Sequence, residues 1–164
     1  MNKKGQAAME FLMTYGWAIL VVIAAISALA YFGVLDPARL LPERCQFPAG
    51  MDCIDKAAID STGSTVTVAL RNNVGNSINI TDVITTGTIC TPSGKEAKPA
   101  SGNWEDLDSV EVTVDNNEVV NIRINCTETL SSGDKFEEDM TVSYENLESG
   151  LPNKALGTIR GRVA

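Results

Sequence analysis

Two periodicities divide the chain. From Phe11 to Leu35 the sequence FLMTYGWAILVVIAAISALAYFGVL runs for 25 residues without a charge. Its side chains are apolar all round a helical projection, unlike the half-polar helix of a soluble surface. At about 1.5 Å per residue such a helix spans roughly 37 Å, enough to cross a hydrocarbon core of about 30 Å. Beyond Cys53 the period falls to two. Val66, Val68 and Leu70 alternate with Thr65, Thr67, Ala69 and Arg71, and Val110, Val112 and Val114 with Glu111, Thr113 and Asp115. Val120, Ile122 and Ile124 repeat the pattern, as do Met140, Val142 and Tyr144. Ile78 and Ile80 begin a further strand, and residues 156–163 form a weaker candidate. Alternation of this kind predicts strands with one buried face.

Turn residues separate these runs. Asp115-Asn116-Asn117-Glu118 suits a hairpin turn, since asparagine tolerates positive φ; residues 72–76 and 131–134 punctuate similarly. Residues 92–108, PSGKEAKPASGNWEDLD, read as a polar loop. Its Trp104 is expected to cover the edge of the core, with an exposed contact surface as the alternative. The predicted class is α+β: a long N-terminal hydrophobic helix followed by a small antiparallel β-sandwich of six or seven strands, for which an immunoglobulin-like arrangement is one form. The expected organisation is a leader at 1–5, the helix at 6–35, a proline-containing neck at 36–53 and a head domain at 54–164. Asp36-Pro37 is expected to end or kink the helix, because the residue before proline avoids helical geometry.

Charge narrows the partners. The net charge is −8 without basic clusters, which argues against nucleic acid and against adhesion of the body to anionic lipid. There is no histidine, so the commonest general base and metal ligand is absent. No nucleophile elbow, P-loop or dinucleotide fingerprint occurs. Asp52, Asp55 and Asp60 lack the calcium-loop pattern around them and are expected to be strand-edge polarity. Neither a catalytic residue, a metal site nor a cofactor is expected.

Four cysteines, Cys45, Cys53, Cys90 and Cys126, follow the apolar run at spacings that match no zinc or thioredoxin-like motif. Two disulfides in an oxidising exterior are the expected state. Of three connectivities, Cys45–Cys53 and Cys90–Cys126 are favoured: the first clips a short loop and the second ties two sheet segments. Asn79-Ile80-Thr81 and Asn125-Cys126-Thr127 match the N-glycosylation sequon, though two matches are no more than chance provides in a chain this rich in asparagine, serine and threonine.

The decisive stretch is KKGQAAMEF, residues 3–11. Lys3 and Lys4 ahead of the apolar run place the N-terminus in the cytoplasm and export the rest. Ala28-Leu29-Ala30 would allow secretory cleavage, but the mature chain would then open on Tyr31, Phe32, Val34 and Leu35. An uncleaved anchor is the second fate. The third is cleavage between Gly5 and Gln6. KKG followed by QAAMEFLMTYGWAIL resembles the class III signal peptide of archaeal type IV pilins, in which a prepilin peptidase cuts after a glycine preceded by basic residues. The resemblance covers residues 1–35. It implies cleavage at Gly5–Gln6, with Lys3 and Lys4 as the basic pair and Glu10 as the family's glutamate five residues after the cut.

A carboxylate at the membrane is expensive unless paired. Glu10 of one subunit meeting the new Gln6 amine of a neighbour would lower that cost on assembly. Ala24 and Ala28 offer a small face for close backbone approach. The resemblance implies a structural subunit of an archaeal type IV pilus, an adhesion-type surface filament, held in the cytoplasmic membrane as a precursor and then at the cell surface as a filament. The implied partners are copies of itself in a helical homopolymer, the prepilin peptidase, and the assembly platform with its ATPase. A membrane-anchored binding module, an archaellum subunit and a minor pilin are the alternatives.

Overall fold

A computed structural model describes residues 3–32 and 42–164, which belong to two compact units, Met1–Leu41 and Pro42–Ala164. In the first unit, helix α1 spans Lys3–Tyr31. It starts earlier than the expected 6–35, taking in Lys3 and Lys4 and tolerating Gly5 as it tolerates Gly16. It ends at Tyr31, with Phe32 in a turn whose amide donates to the Ala28 carbonyl at 3.0 Å. Residues 33–41, including the expected Asp36-Pro37 boundary, lie outside the described residues.

The second unit is all β. Its strands are β1 (Arg44–Gln46), β2 (Met51–Cys53), β3 (Ala58–Asp60), β4 (Thr65–Asn72), β5 (Ile78–Thr85), β6 (Pro92–Pro99), β7 (Glu105–Asp106), β8 (Val112–Val114), β9 (Val119–Cys126), β10 (Lys135–Asn146) and β11 (Leu151–Arg162). They form two antiparallel sheets, ordered β1-β11-β10-β5-β8 and β2-β4-β9-β6-β7, with β3 paired to β4. The alternating positions converge as expected: Val66, Val68, Leu70, Val120, Ile122 and Ile124 from one sheet meet Ile78, Ile80, Val83, Met140 and Val142 from the other in one core. Each such side chain removed from water contributes about 1.5–3 kcal/mol.

Several expectations are corrected. The described part of the segment read as a neck, residues 42–53, supplies β1 to one sheet and β2 to the other, so it is built into the head. Residues 92–99 of the expected loop form a full strand, with Ala97 as its buried position, because a ladder to β9 satisfies the backbone without an apolar alternation. Val110 precedes β8 and is 52% exposed. Residues 115–118 do turn, with the Glu118 amide donating to the Asp115 carbonyl at 3.0 Å and Asn117 at φ 69°. That turn is no hairpin, since it carries the chain from one sheet to the other. Trp104 stands outside the core: the Arg123 guanidinium lies 4.2 Å from its ring centroid on the outer face of the second sheet.

Candidate functional site

The residues expected to direct export and assembly lie on one continuous element. Lys3, Lys4, Gly5 and Gln6 open α1, and Glu10 follows one turn after Gln6. The side chains of residues 3–8 lie outside the described residues. Glu10 is exposed, and its backbone carbonyl accepts a hydrogen bond from the Thr14 hydroxyl at 2.8 Å. The bond runs from a residue to the one four before it within the helix, and Glu10 is the last charge before the helix ends. Over Met13–Tyr31 the mean hydropathy is 2.0 and none of the residues is buried within the chain, so the segment is long and apolar enough to cross a membrane.

Alanine and leucine favour the helix here, and beyond Glu10 its sequence carries no charge. Phe11 and Tyr15, four residues apart, bring their rings to 4.7 Å. Ala24 and Ala28 are both exposed and one turn apart, which leaves a stretch where another backbone could approach closely.

In the head, all four cysteines are paired. Cys45 of β1 joins Cys53 of β2 and so ties the two sheets together, with Cα atoms 5.9 Å apart. Cys90, in the connection after β5, joins Cys126 at the end of β9, with Cα atoms 4.8 Å apart. Asn79 and Asn125 lie on strands in half-buried positions. Asn79 accepts from the Thr113 hydroxyl at 2.7 Å and donates to Glu111 at 3.3 Å, so both ends of its amide are engaged. Asn125 is flanked by Thr65 on β4 and Gly94 on β6.

Two charged arrangements went unnoticed in the sequence. Glu138 occupies an inward position of β10 between Phe136 and Met140, only 3% exposed. Its Oε1 accepts from the amides of Ile89 at 2.5 Å and Cys90 at 3.3 Å, so it anchors the connection that holds a disulfide. The alternation Phe136-Glu138-Met140-Val142 was the available signal. On the outer face of the first sheet, Arg44 of β1 stands opposite Arg160 of β11, and Glu137 of β10 meets cations of β10 and β11. There, Lys135 donates to its carboxylate at 2.6 Å and Arg160 pairs with it at 2.7 Å, which together hold the Glu137 carboxyl below the usual glutamate range. No local motif signals this group, because sheet register alone assembles it.

Among the described residues no cluster of three or more histidine, cysteine, aspartate or glutamate side chains is arranged to hold a metal. No protein-family model matches the chain. No curated protein matches it either. Among solved structures it is similar to a solution structure described as a late embryogenesis abundant (LEA) protein, at 11% identity and a TM-score of 0.28, over 92% of this chain and 89% of that one.

Proposed function

We propose that this chain is the precursor of a structural pilin, polymerising through its N-terminal helix into an archaeal type IV pilus. One observation carries the reading: Lys3, Lys4, Gly5, Gln6 and Glu10 stand in that order, on one helix, immediately ahead of an uncharged membrane-length run. Cutting between Gly5 and Gln6 keeps the helix on the mature protein and creates an amine close to a carboxylate. An all-round apolar helix drawn from the membrane must be buried again, and bundling with identical helices along one axis achieves this. The disulfide-bonded head, with its two facing antiparallel sheets, is then the outer coat. An immunoglobulin-like coat domain is the finer form of this reading.

Full pairing of the described cysteines supports an oxidising exterior. The peptidase, the platform with its ATPase, and the chain's own copies are the partners this function requires. The test is the mass of the native protein's N-terminal peptide, by mass spectrometry because Gln6 can cyclise. A peptide beginning at Gln6 supports prepilin processing. One beginning at Met1 or Tyr31 overturns it in favour of a simple anchor or a secreted domain.

A further inference from the structure

The outer face of the first sheet carries a charge arrangement that the fold itself disfavours. Register sets Arg44 of β1 opposite Arg160 of β11, and Lys135 of β10 opposite Arg162 of β11. Like charges directly opposite on one face destabilise a ladder. Glu137, on the same face, is bound to two of these four cations, Lys135 and Arg160. The next outward carboxylate, Asp139, accepts from the Thr158 hydroxyl at 2.8 Å. Among the described residues, neither Arg44 nor Arg162 has a carboxylate within ion-pair distance, and Arg160 Nε is buried without a hydrogen-bond partner. Four cations thus converge on a protein whose net charge is −8.

The complementary surface lies at the far side of the same sandwich. The sheet orders place β1 at one end of the first sheet, and β8 and β7 at the opposite ends of the two sheets. Glu105, Asp106, Asp108 and Glu111 are all exposed there, around the exposed Val110. Among the described residues, only Asp108 of these four approaches a cation, Lys95 at 3.5 Å. Because the two charge groups occupy opposite sides of one head, they cannot satisfy each other within it. They can do so between heads, and a contact joining different surfaces of identical subunits extends instead of closing.

We propose that the cationic cluster of Arg44, Lys135, Arg160 and Arg162 docks on the acidic segment 105–111 of a second copy of this chain. The inference rests on the pilin reading for its setting, since it gives the coat domains a directional contact along a filament. It also removes the cost of the two like-charge pairs at the moment of assembly. Contacts of this kind are screened by salt, over about 10 Å at 0.1 M and about 3 Å at 1 M.

The test uses the full chain solubilised in detergent and followed by sedimentation, so that it reads head association whether or not filaments form. The wild type is expected to self-associate at about 0.05 M salt and to lose about tenfold of that association at about 0.5 M. Arg44→Glu with Arg162→Glu abolishes association, as does Glu105→Lys with Asp106→Lys and Glu111→Lys. Each variant keeps both disulfides and the wild-type near-ultraviolet dichroism. Mixing the two variants restores association, because each presents what the other lacks. Unchanged association in either variant overturns the proposal. Loss in both without recovery on mixing also overturns it. An N-terminal peptide beginning at Met1, with mixing still effective, would remove the pilin reading and leave the contact standing.

Discussion

Gly87 lies directly against the carboxylate of Glu138: a β-carbon built on Gly87 would fall 1.5 Å from Oε2. The absence of a side chain at 87 is what lets a buried carboxylate reach the amides of Ile89 and Cys90. Gly87→Ala must push the carboxylate off both donors, leaving them unpaired in a buried setting. A loss of about 2–3 kcal/mol is expected in denaturant unfolding, and a similar loss for Glu138→Ala. The two are not additive. On the Glu138→Ala background the second substitution should cost under about 0.5 kcal/mol, and full additivity in this cycle would contradict the contact.

Asn72 is a second buried polar anchor, 1% exposed. Its side-chain amide donates to the carbonyls of Asn76 at 2.9 Å and of Val114 and Asp115 at 3.1 Å. Its backbone also pairs with Glu118 and Asn117, so one residue fastens two of the connections between the sheets, residues 73–77 and 115–118. Asn72→Ala is expected to cost about 3 kcal/mol. Asn72→Asp should cost at least as much, since it sets a carboxylate against carbonyl oxygens. Calorimetric melting of the two variants checks the order, and a neutral Asn72→Asp would exclude the donor role.

The disulfides close loops of different length, with sequence separations of 8 and 36. Loop entropy assigns about 2.5 kcal/mol to the Cys45–Cys53 link and about 4 kcal/mol to Cys90–Cys126. Cys90→Ser with Cys126→Ser should therefore lower the denaturation midpoint more than Cys45→Ser with Cys53→Ser. The reverse order would mean that joining β1 to β2 matters beyond loop closure.

Much of the head was legible because one face of each long strand is buried, so Val66, Val68 and Leu70 or Val120, Ile122 and Ile124 announce themselves by alternation. The strand Pro92–Pro99 was not, since only Ala97 meets the core and its backbone partner is a distant strand. The 115–118 turn was legible as a turn, but its crossing between sheets depends on where β8 and β9 pair. Trp104 was misplaced because its partner, Arg123, reaches it only through register. The candidate assembly site was almost wholly a matter of sequence: a helix adds continuity from Lys3 to Tyr31, while the order of lysines, glycine and glutamate is chemistry written in the chain. The cation cluster is the opposite case, joining Arg44 to Arg160 across most of the head.

Acid should weaken the head through carboxylates whose partners exist only in the folded state. Glu128 accepts from the Thr91 amide at 2.6 Å and its hydroxyl at 2.7 Å, and these bonds lower its carboxyl below the ordinary 4.5. Unfolded, the same carboxyl binds its proton at a higher pH, so the unfolded state holds more protons through this window. The contribution is complete above the ordinary value and is lost as pH falls through the depressed one. Melting temperature should drop on acidification below about pH 4.5. Glu128→Gln should flatten that drop, and parallel pH profiles for the two proteins would assign the acid sensitivity elsewhere.

Glu10 offers the sharpest separation of an anchor from an assembly element. It is the only charge between Lys4 and the end of α1, and an anchor has no use for a carboxylate at that depth. Glu10→Ala removes an expensive group from the helix, so membrane insertion should be equal or better. If the carboxylate meets the Gln6 amine of a neighbour, filament yield should nevertheless fall at least about tenfold, the effect of losing about 1.4 kcal/mol per contact. Glu10→Gln retains hydrogen bonding without charge and should recover little. Replacing Gly5 with a bulky residue should act one step earlier, blocking the cut and holding the whole chain in the membrane. Sheared-filament yield and membrane-fraction blots read the two steps separately. Normal filaments from Glu10→Ala would remove its assembly role, and abundant filaments with an uncut leader would remove the need for cleavage.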